Sequence, residues 1–134
     1  MDYLSDTSFL IGRWRNGPAG PEQRFIDAHP DAAIVLPWLA KAEFLRGAVL
    51  AGHPAETVAG FLERYRVLWP SERTLQLYAA TWATLARQRQ MVGVHDLWIA
   101  ASALEHQLPL LTRNAAEFRR IPGIEVVDYT AAPG

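Results

Sequence analysis

The sequence predicts an α/β fold in which a central parallel β-sheet of four to five strands is flanked by helices on both faces. Short apolar runs alternate along the chain with longer segments of helical periodicity, which is typical of such sheets. The run Ala32–Leu36 is apolar throughout, as expected of a strand covered on both faces. The 134 residues are half hydrophobic and a fifth charged, a balance that favours one domain over residues 1–134.

The elements follow one another in a regular order. The first strand is predicted at Asp2–Ser5, and a helix then starts at Asp6, with apolar residues at helical spacing up to Trp14. The later elements are a helix over 22–28, a strand over 32–36, helices over 38–50 and 55–65, a strand over 66–69, helices over 72–90 and 97–104, a strand over 109–112, a helix over 115–120 and a strand over 124–129.

Five tryptophans occur in the chain. The helix over 72–90 carries an apolar stripe that is predicted to be its buried face, formed by Leu75, Tyr78, Ala79, Trp82 and Leu85. Trp82 and Trp98 are therefore predicted to lie in the core. Trp14 and Trp38 fall in the first and third helices, and the sequence leaves open whether they are core residues or line a dimer face or a partner's groove.

The composition excludes several kinds of site. No cysteine is present, so disulfides, thiolate metal sites and cysteine nucleophiles are excluded. The formal net charge of -1 argues against a strongly basic nucleic-acid-binding module. No apolar run reaches the roughly 18 to 20 residues that span a membrane. The amino terminus lacks the basic and apolar pattern of a secretory signal, so a cytoplasmic protein is expected.

Three acidic residues are the strongest candidates for chemistry. Asp6 follows the first predicted strand, Glu43 lies on the apolar stripe of the third helix, and Asp96 precedes the most apolar helix. Each also has a purely structural interpretation: Asp6 and Asp96 as helix N-caps, and Glu43 as the partner of Arg46 in an ion pair. In either case a cationic group is expected to meet Glu43, because an unpaired buried acid is costly.

The predicted topology can bring these three carboxylates to one edge of the sheet, where parallel sheets bind ligands. Clustered carboxylates repel one another unless cations neutralise them. Oxygen-rich sites of this kind suit Mg²⁺ or Mn²⁺. Such an ion can activate water and orient a phosphodiester without help from cysteine, serine or histidine. The pattern therefore predicts a metal site that includes Asp6, Glu43 and Asp96.

Competing catalytic arrangements are weak in this sequence. The four histidines form no close metal-ligand pair, and His95 is interpreted as a loop residue rather than a general base. The glycine-containing stretch 17–20 lacks the Lys and Ser/Thr of a phosphate loop, and no G-x-S-x-G elbow occurs. Carboxylate–metal chemistry is what remains.

Four stretches carry a family resemblance: the opening YLSDTSFLI, the internal AEFLRG, the run HDLWIAASALEHQLPLLTRNAAEF and the closing IPGIEVVDY. Together they resemble the PIN-domain ribonucleases, and most closely the VapC-type toxins of toxin–antitoxin pairs, over essentially the whole chain. The resemblance implies an acid cluster that binds Mg²⁺ or Mn²⁺ for endonucleolytic RNA cleavage. It also implies a homodimer and an inhibitory VapB-like antitoxin protein.

The resemblance assigns roles to individual residues. Asp6, Glu43 and Asp96 match the family's three most dependable acids. The family's usual hydroxyl positions are matched by Thr7 or Ser8 and by Thr112. Ala40 stands where a hydroxyl residue is often found one turn before the glutamate, which leaves the surroundings of Glu43 undefined.

The fourth acid is irregular, because Asn114 stands where some members have aspartate. Asn114 and Glu117 are expected to share its task through water. With the four site acids set aside, the basic residues outnumber the remaining acidic ones, and 12 of the basic residues are arginine. Arginine binds phosphate bidentately and stacks on bases. The candidate RNA contacts are Arg113, Arg46 and Arg13.

Two other functions compete with the nuclease. A phosphatase of the haloacid dehalogenase type also places an aspartate after its first strand, but it needs a second aspartate two residues later, where this chain has Ser8. A non-catalytic PIN-like binding module with a decayed site is the other alternative. The retained Asp6, Glu43 and Asp96 argue against it, whereas the irregular fourth acid keeps it open.

Overall fold

The structure, a computed structural model, describes residues 1–131 and confirms the predicted α/β fold. The last three residues of the predicted domain lie outside the described range. The strands are β1 (Tyr3–Ser5), β2 (Ile34–Pro37), β3 (Arg66–Leu68), β4 (Leu110–Thr112) and β5 (Val126–Asp128). The α-helices are α1 (Thr7–Asn16), α2 (Pro21–Ala28), α3 (Trp38–Leu50), α4 (Ala55–Leu62), α5 (Glu72–Gln88), α6 (Val94–His106) and α7 (Ala115–Phe118).

The five strands pair in parallel in the order β3-β2-β1-β4-β5. The chain builds outwards from β1 to β3 and then crosses back, through α5 and α6, to place β4 on the other side of β1. The strand order therefore reverses between β1 and β4, and ligands of open parallel sheets bind at such a point. Ser5 is opposite Leu111 here, and the N–H of Asp6 donates to the Leu111 carbonyl at 3.1 Å.

Both faces of the sheet are buried. Leu4 and Val35 pack on one face against α5 and α6, in a cluster that includes Leu85 and Leu97. The next residue of β2, Leu36, packs on the opposite face in a cluster with residues of α1, α3 and α4. Successive side chains of a strand point to opposite faces, so an apolar run such as that of β2 satisfies both layers.

The buried face of α5 differs from the predicted stripe. Leu75 and Trp82 are each 46% exposed, whereas the residues that are buried are Thr74, Thr81 and Leu85. The hydroxyl of Thr74 donates to the carboxylate of Glu105 on α6, as does that of the helix cap Ser71. These bonds turn the hydroxyl face of α5 towards α6, and the prediction that Trp82 is a core residue is therefore wrong.

Three of the other tryptophans pack against aromatic side chains of the same chain. Trp98 is half-buried and stacks on Tyr78 with a centroid distance of 3.8 Å, and Trp38 meets it edge-on at 5.9 Å. Trp14 packs edge-on against Phe44 at 5.7 Å. Trp14 and Trp38 thus pack against aromatic neighbours in the same chain, and both remain partly exposed. A role for either residue at a dimer face or in a partner's groove stays a prediction.

Most predicted bounds agree with the observed ones to within two or three residues. The fourth helix ends at Leu62, three residues before its predicted end, because the chain turns there and enters β3 at Arg66. Within the described residues, no helix is both long enough and apolar enough to cross a membrane.

Candidate functional site

Asp6 lies at the end of β1, where the sheet changes direction, and is 4% exposed. Its Oδ1 atom accepts hydrogen bonds from the N–H of Phe9 at 3.0 Å and from the hydroxyl of Ser8 at 2.6 Å, so Asp6 caps α1 as the structural interpretation predicted. Burial raises the pKa of Asp6, and hydrogen bonds from Ser8, Thr112 and Phe9 oppose that rise. Asp6 is therefore both the N-cap of α1 and a candidate residue of the site.

Glu43 projects from the middle of α3 towards the same edge of the sheet. Its Oε1 atom accepts a hydrogen bond of 2.7 Å from the hydroxyl of Thr7, the first residue of α1. Its Oε2 atom lies 3.1 Å from Nδ1 of His95 and 3.8 Å from the guanidinium of Arg46. The expected cationic neighbour is thus present, and the ion pair with Arg46 forms alongside two further contacts.

Asp96 lies in the first turn of α6 but does not cap it, because Gly93 occupies the cap position. Burial, followed by the hydrogen bond and charge of Glu117 and the charges of Asp6 and Glu43, raises the pKa of Asp96 to about 7. The other three carboxylates therefore lie close enough to Asp96 to repel its charge. The Oε1 atom of Glu117 also accepts a hydrogen bond of 3.2 Å from the N–H of Gly93, which ties α7 to the start of α6.

The loop after β4 supplies the remaining predicted site residues. Thr112 is fully buried, and its Oγ1 atom accepts a hydrogen bond of 2.9 Å from the N–H of Asn114. The N–H of Arg113 points to the hydroxyl of Ser8 at 3.4 Å. Asn114 precedes α7, the helix that carries Glu117, and its side chain makes no capping hydrogen bond. Asn114 and Glu117, which were expected to share the task of the fourth acid, thus lie at the start of α7 and within it.

The three candidate RNA contacts occupy different places. The side chain of Arg113 is half exposed beside the acids, and that of Arg46 is 62% exposed next to Glu43. Arg13 lies towards the far end of α1, where it lines a cavity of about 700 Å³ together with Arg64 and with Arg66, the first residue of β3. The structure does not bring Arg13 to the carboxylate cluster.

Two residues of the site were missed by the sequence reasoning. His95, interpreted as a loop residue, lies in the first turn of α6, and its contact with Glu43 follows from its position directly before Asp96. Glu22, in α2, is fully buried and lies 3.7 Å from the guanidinium of Arg113. No local signal marks Glu22, because it meets Arg113 only through the tertiary fold.

Removing the charge of Asp96 is expected to stabilise the metal-free protein at neutral and alkaline pH. The pKa of about 7 lies above the ordinary value of 3.8, so the folded protein binds this proton more tightly than the unfolded chain does. The stability that comes from the proton is complete below pH ~4 and is lost as the pH rises through pH ~7.

In EDTA at pH ~8, Asp96→Asn should therefore raise the free energy of unfolding by about 1–2 kcal/mol, a value reduced for solvent screening. The gain should shrink as the pH falls towards ~4. Denaturant unfolding of both proteins across this range measures the difference, and a gain that does not change with pH would contradict the repulsion within the cluster.

Comparison with known proteins identifies the family. A family model described as PIN domain matches residues 3–124. Ribonuclease VapC1 of Haemophilus influenzae (strain R2866) is 32% identical over 134 residues, which cover 97% of this chain and 99% of that protein. The tRNA(fMet)-specific endonuclease VapC of Salmonella typhimurium is 29% identical and covers 96% of this chain and 98% of its own.

A solved structure has the same architecture. VapBC-1 from nontypeable Haemophilus influenzae superposes with a TM-score of 0.83 at 30% identity, and the match covers 98% of this chain and all of that chain. The strand order, the acids at the reversal point and these similarities agree with the resemblance seen in the sequence. The chain belongs to the PIN domain family.

Proposed function

We propose that the protein is a divalent-metal-dependent endoribonuclease and the toxin component of a toxin–antitoxin pair. The observation that carries this proposal is the group of four carboxylates at the reversal point of the sheet, where Thr7 holds Glu43, Ser8 holds Asp6 and Gly93 holds Glu117. Burial, followed by the hydrogen bond and charge of Glu117 and the charges of Asp6 and Glu43, raises the pKa of Asp96 in this group. The relatives named ribonuclease VapC1 and tRNA(fMet)-specific endonuclease VapC support RNA as the substrate class.

The side chains of the cluster suit Mg²⁺ or Mn²⁺. The donors are carboxylate oxygens, which hard divalent ions prefer, and their mutual repulsion is what a bound cation would relieve. Among residues 1–131, no three acidic or histidine side chains already form a metal-binding group. We therefore assign Asp6, Asp96 and Glu43 as the residues that would hold the ion, with water completing its coordination.

When bound, such an ion supplies an activated water and charge stabilisation for the leaving oxygen of a phosphodiester. The surrounding residues of the chain orient the carboxylates. Ser8 holds Asp6 and Thr7 holds Glu43, so both acids are fixed from the start of α1. Glu117, tied to Gly93 and bonded to Asp96, is assigned to the cluster as the fourth acid, with Asn114 beside it.

The direct test uses a circular RNA, which has no ends for an exonuclease. Protein freed of any partner is incubated with the circle in Mg²⁺ or Mn²⁺, and a parallel reaction contains EDTA. We expect linear fragments in the metal and intact circles in EDTA. Equal cleavage in both tubes would contradict the metal mechanism, and intact circles with every RNA would favour the non-catalytic binding module.

The partner surface we assign lies on α3 and α4. Val49 and Leu50 are 77% and 83% exposed, and a groove of about 350 Å³ beside them is lined by Leu45, Val58 and Leu62 among others. An apolar segment of a VapB-like antitoxin would cover these side chains, as exposed apolar patches of this kind mark protein interfaces. Both proteins and the RNA would meet in the cytoplasm.

A charge placed on this surface is expected to disrupt the complex. Val49→Glu should weaken binding of the small protein encoded by the neighbouring reading frame at least about tenfold, because the carboxylate would be desolvated in an apolar contact. RNA cleavage by the free variant should equal that of the wild type. Calorimetry with the purified partner measures the affinity. An unchanged affinity would show that the antitoxin binds another face of the protein.

A separate apolar patch is the surface we assign to homodimer formation. Trp69 is 68% exposed, and Leu75 and Trp82 on α5 are each 46% exposed. Leu85 of α5 packs in the cluster on one face of the sheet and Val58 of α4 in the cluster on the opposite face, so two copies could pair through α5 without competing for the antitoxin surface.

A further inference from the structure

Glu22 is an acid in an unusual environment. It is the second residue of α2 and is fully buried. Its Oε1 atom accepts a hydrogen bond of 3.1 Å from the side-chain amide of Asn16, whereas its buried Oε2 atom has no hydrogen-bond partner. A buried carboxylate is costly unless a cation meets it, and the guanidinium of Arg113 lies 3.7 Å from Oε2.

Two glycines make room for this carboxylate. A Cβ atom at Gly12 of α1 would overlap Oε2 of Glu22, and one at Gly20 would come within 2.6 Å of Oε1. Both glycines have negative or extended backbone angles that any residue can adopt, since neither is among those with positive φ. Space for the acid, rather than backbone freedom, therefore explains why residues without side chains fit there.

Arg113 connects this buried acid to the carboxylate cluster. The backbone N–H of Arg113 points to the hydroxyl of Ser8, and that hydroxyl donates a hydrogen bond of 2.6 Å to Asp6. The guanidinium lies 5.9 Å from the ring centroid of Tyr129. The group thus faces Glu22 and is also held by the ring and a hydrogen bond of Tyr129, while half of the side chain remains exposed, close enough to Asp6 to interact with its charge.

We propose that Glu22 is a positioning residue that holds Arg113 beside the carboxylate cluster, where the free N–H donors of the guanidinium bind a phosphate of the RNA. The proposal rests on the proposed ribonuclease function. The cluster alone repels a phosphate chain, and a planar guanidinium with five donors can bind Glu22 and a phosphate at the same time. Anchoring also reduces the rotamer entropy that Arg113 would lose when RNA binds.

Activity measurements test the coupling between the two residues. Arg113→Met should raise KM for RNA about tenfold and reduce the salt dependence of binding by about one phosphate contact. Glu22→Gln should change both quantities in the same direction, about three- to tenfold in KM. The double variant should match Arg113→Met alone. Arg87→Met and Glu125→Gln, which change exposed residues outside the site, are the matched controls.

Two results would overturn the proposal: a folded Glu22→Gln protein with unchanged KM and salt dependence, or a double variant whose effects simply add. A fall in KM for Glu22→Gln would also overturn it, because the pair would then withhold Arg113 from RNA. Mn²⁺ should stabilise each variant as it stabilises the wild type, which separates a lost phosphate contact from a lost metal site.

A measurement on the unchanged protein avoids dependence on the folding of the variants. Side-chain NMR relaxation of the wild type should show the Nε–H of Arg113 to be ordered and that of Arg87 to be mobile. An Arg113 as mobile as Arg87 would disprove the tether. This measurement involves no RNA, so it tests only the contact between Glu22 and Arg113. Failure of the ribonuclease function would instead be seen as intact RNA in the wild-type assay.

Discussion

Asp96→Asn is expected to reduce RNA cleavage at least about a thousandfold. Asp96 interacts with Glu117, Asp6 and Glu43, and its carboxylate is assigned to hold the divalent ion. Asparagine has nearly the same shape but no charge, so the loss would fall on metal binding and on the stabilisation of charge in the transition state. Single-turnover cleavage of RNA in Mg²⁺ measures the effect.

The control for this variant is Asp31→Asn, which makes the same chemical change at an exposed position just before β2. That protein should cleave RNA at the wild-type rate. Circular dichroism of both variants should match that of the wild type, because neither residue caps a helix. Cleavage by Asp96→Asn within about tenfold of the wild type would remove Asp96 from the catalytic group.

Mn²⁺ is expected to raise the melting temperature of the wild type by on the order of 10 °C. An ion present at about 100 times its dissociation constant adds about 2.7 kcal/mol, since it binds the folded site and not the unfolded chain. A change of that size in a domain of this length corresponds to such a shift. Thermal unfolding in EDTA and in Mn²⁺ gives the two temperatures.

Asp6→Asn should lose this gain without destabilising the metal-free protein. Asparagine is as good a helix cap as aspartate, so the hydrogen bond from the N–H of Phe9 can be kept. The raised pKa of Asp6 also means that its charge is costly in the folded state. Equal shifts by Mn²⁺ in the variant and the wild type would show that the ion binds somewhere other than this cluster.

Much of the fold could be predicted because the sheet is buried on both faces. The apolar run of β2 and the helical spacing after Asp6 are local signals, and the order of the elements predicts a parallel sheet. The face of α5 could not be predicted in this way. Its orientation depends on hydrogen bonds from Ser71 and Thr74 to Glu105, some thirty residues further along, and these override the apolar stripe.

The residues of the candidate site also differ in whether local signals in the sequence reveal them. Asp6 and Glu43 could be proposed because each is an acid at a position where the pattern predicts burial or the end of a strand. Asp96 was located correctly at the start of α6, but its interpretation as the cap was wrong, since the cap is Gly93, three residues earlier. Glu117 was reached only through the family resemblance.

Glu22 and His95 show what the sequence alone could not supply. Glu22 meets Arg113 across more than ninety residues of chain, and His95 meets Glu43 across about fifty. Neither pairing has a local periodicity, so both depend on how the helices pack around β1 and β4. Residues that support a site only through tertiary contacts can therefore be identified from the structure but not from local patterns in the sequence.

The most direct test of the proposed metal site is the position of Mn²⁺ in crystals of the protein, located from its anomalous scattering. We expect one strong peak beyond the carboxyl ends of β1 and β4, about 2.1 Å from oxygens of Asp6 and Asp96. Crystals grown in Mn²⁺ whose peaks lie only at other places on the protein would contradict a metal site formed by these acids.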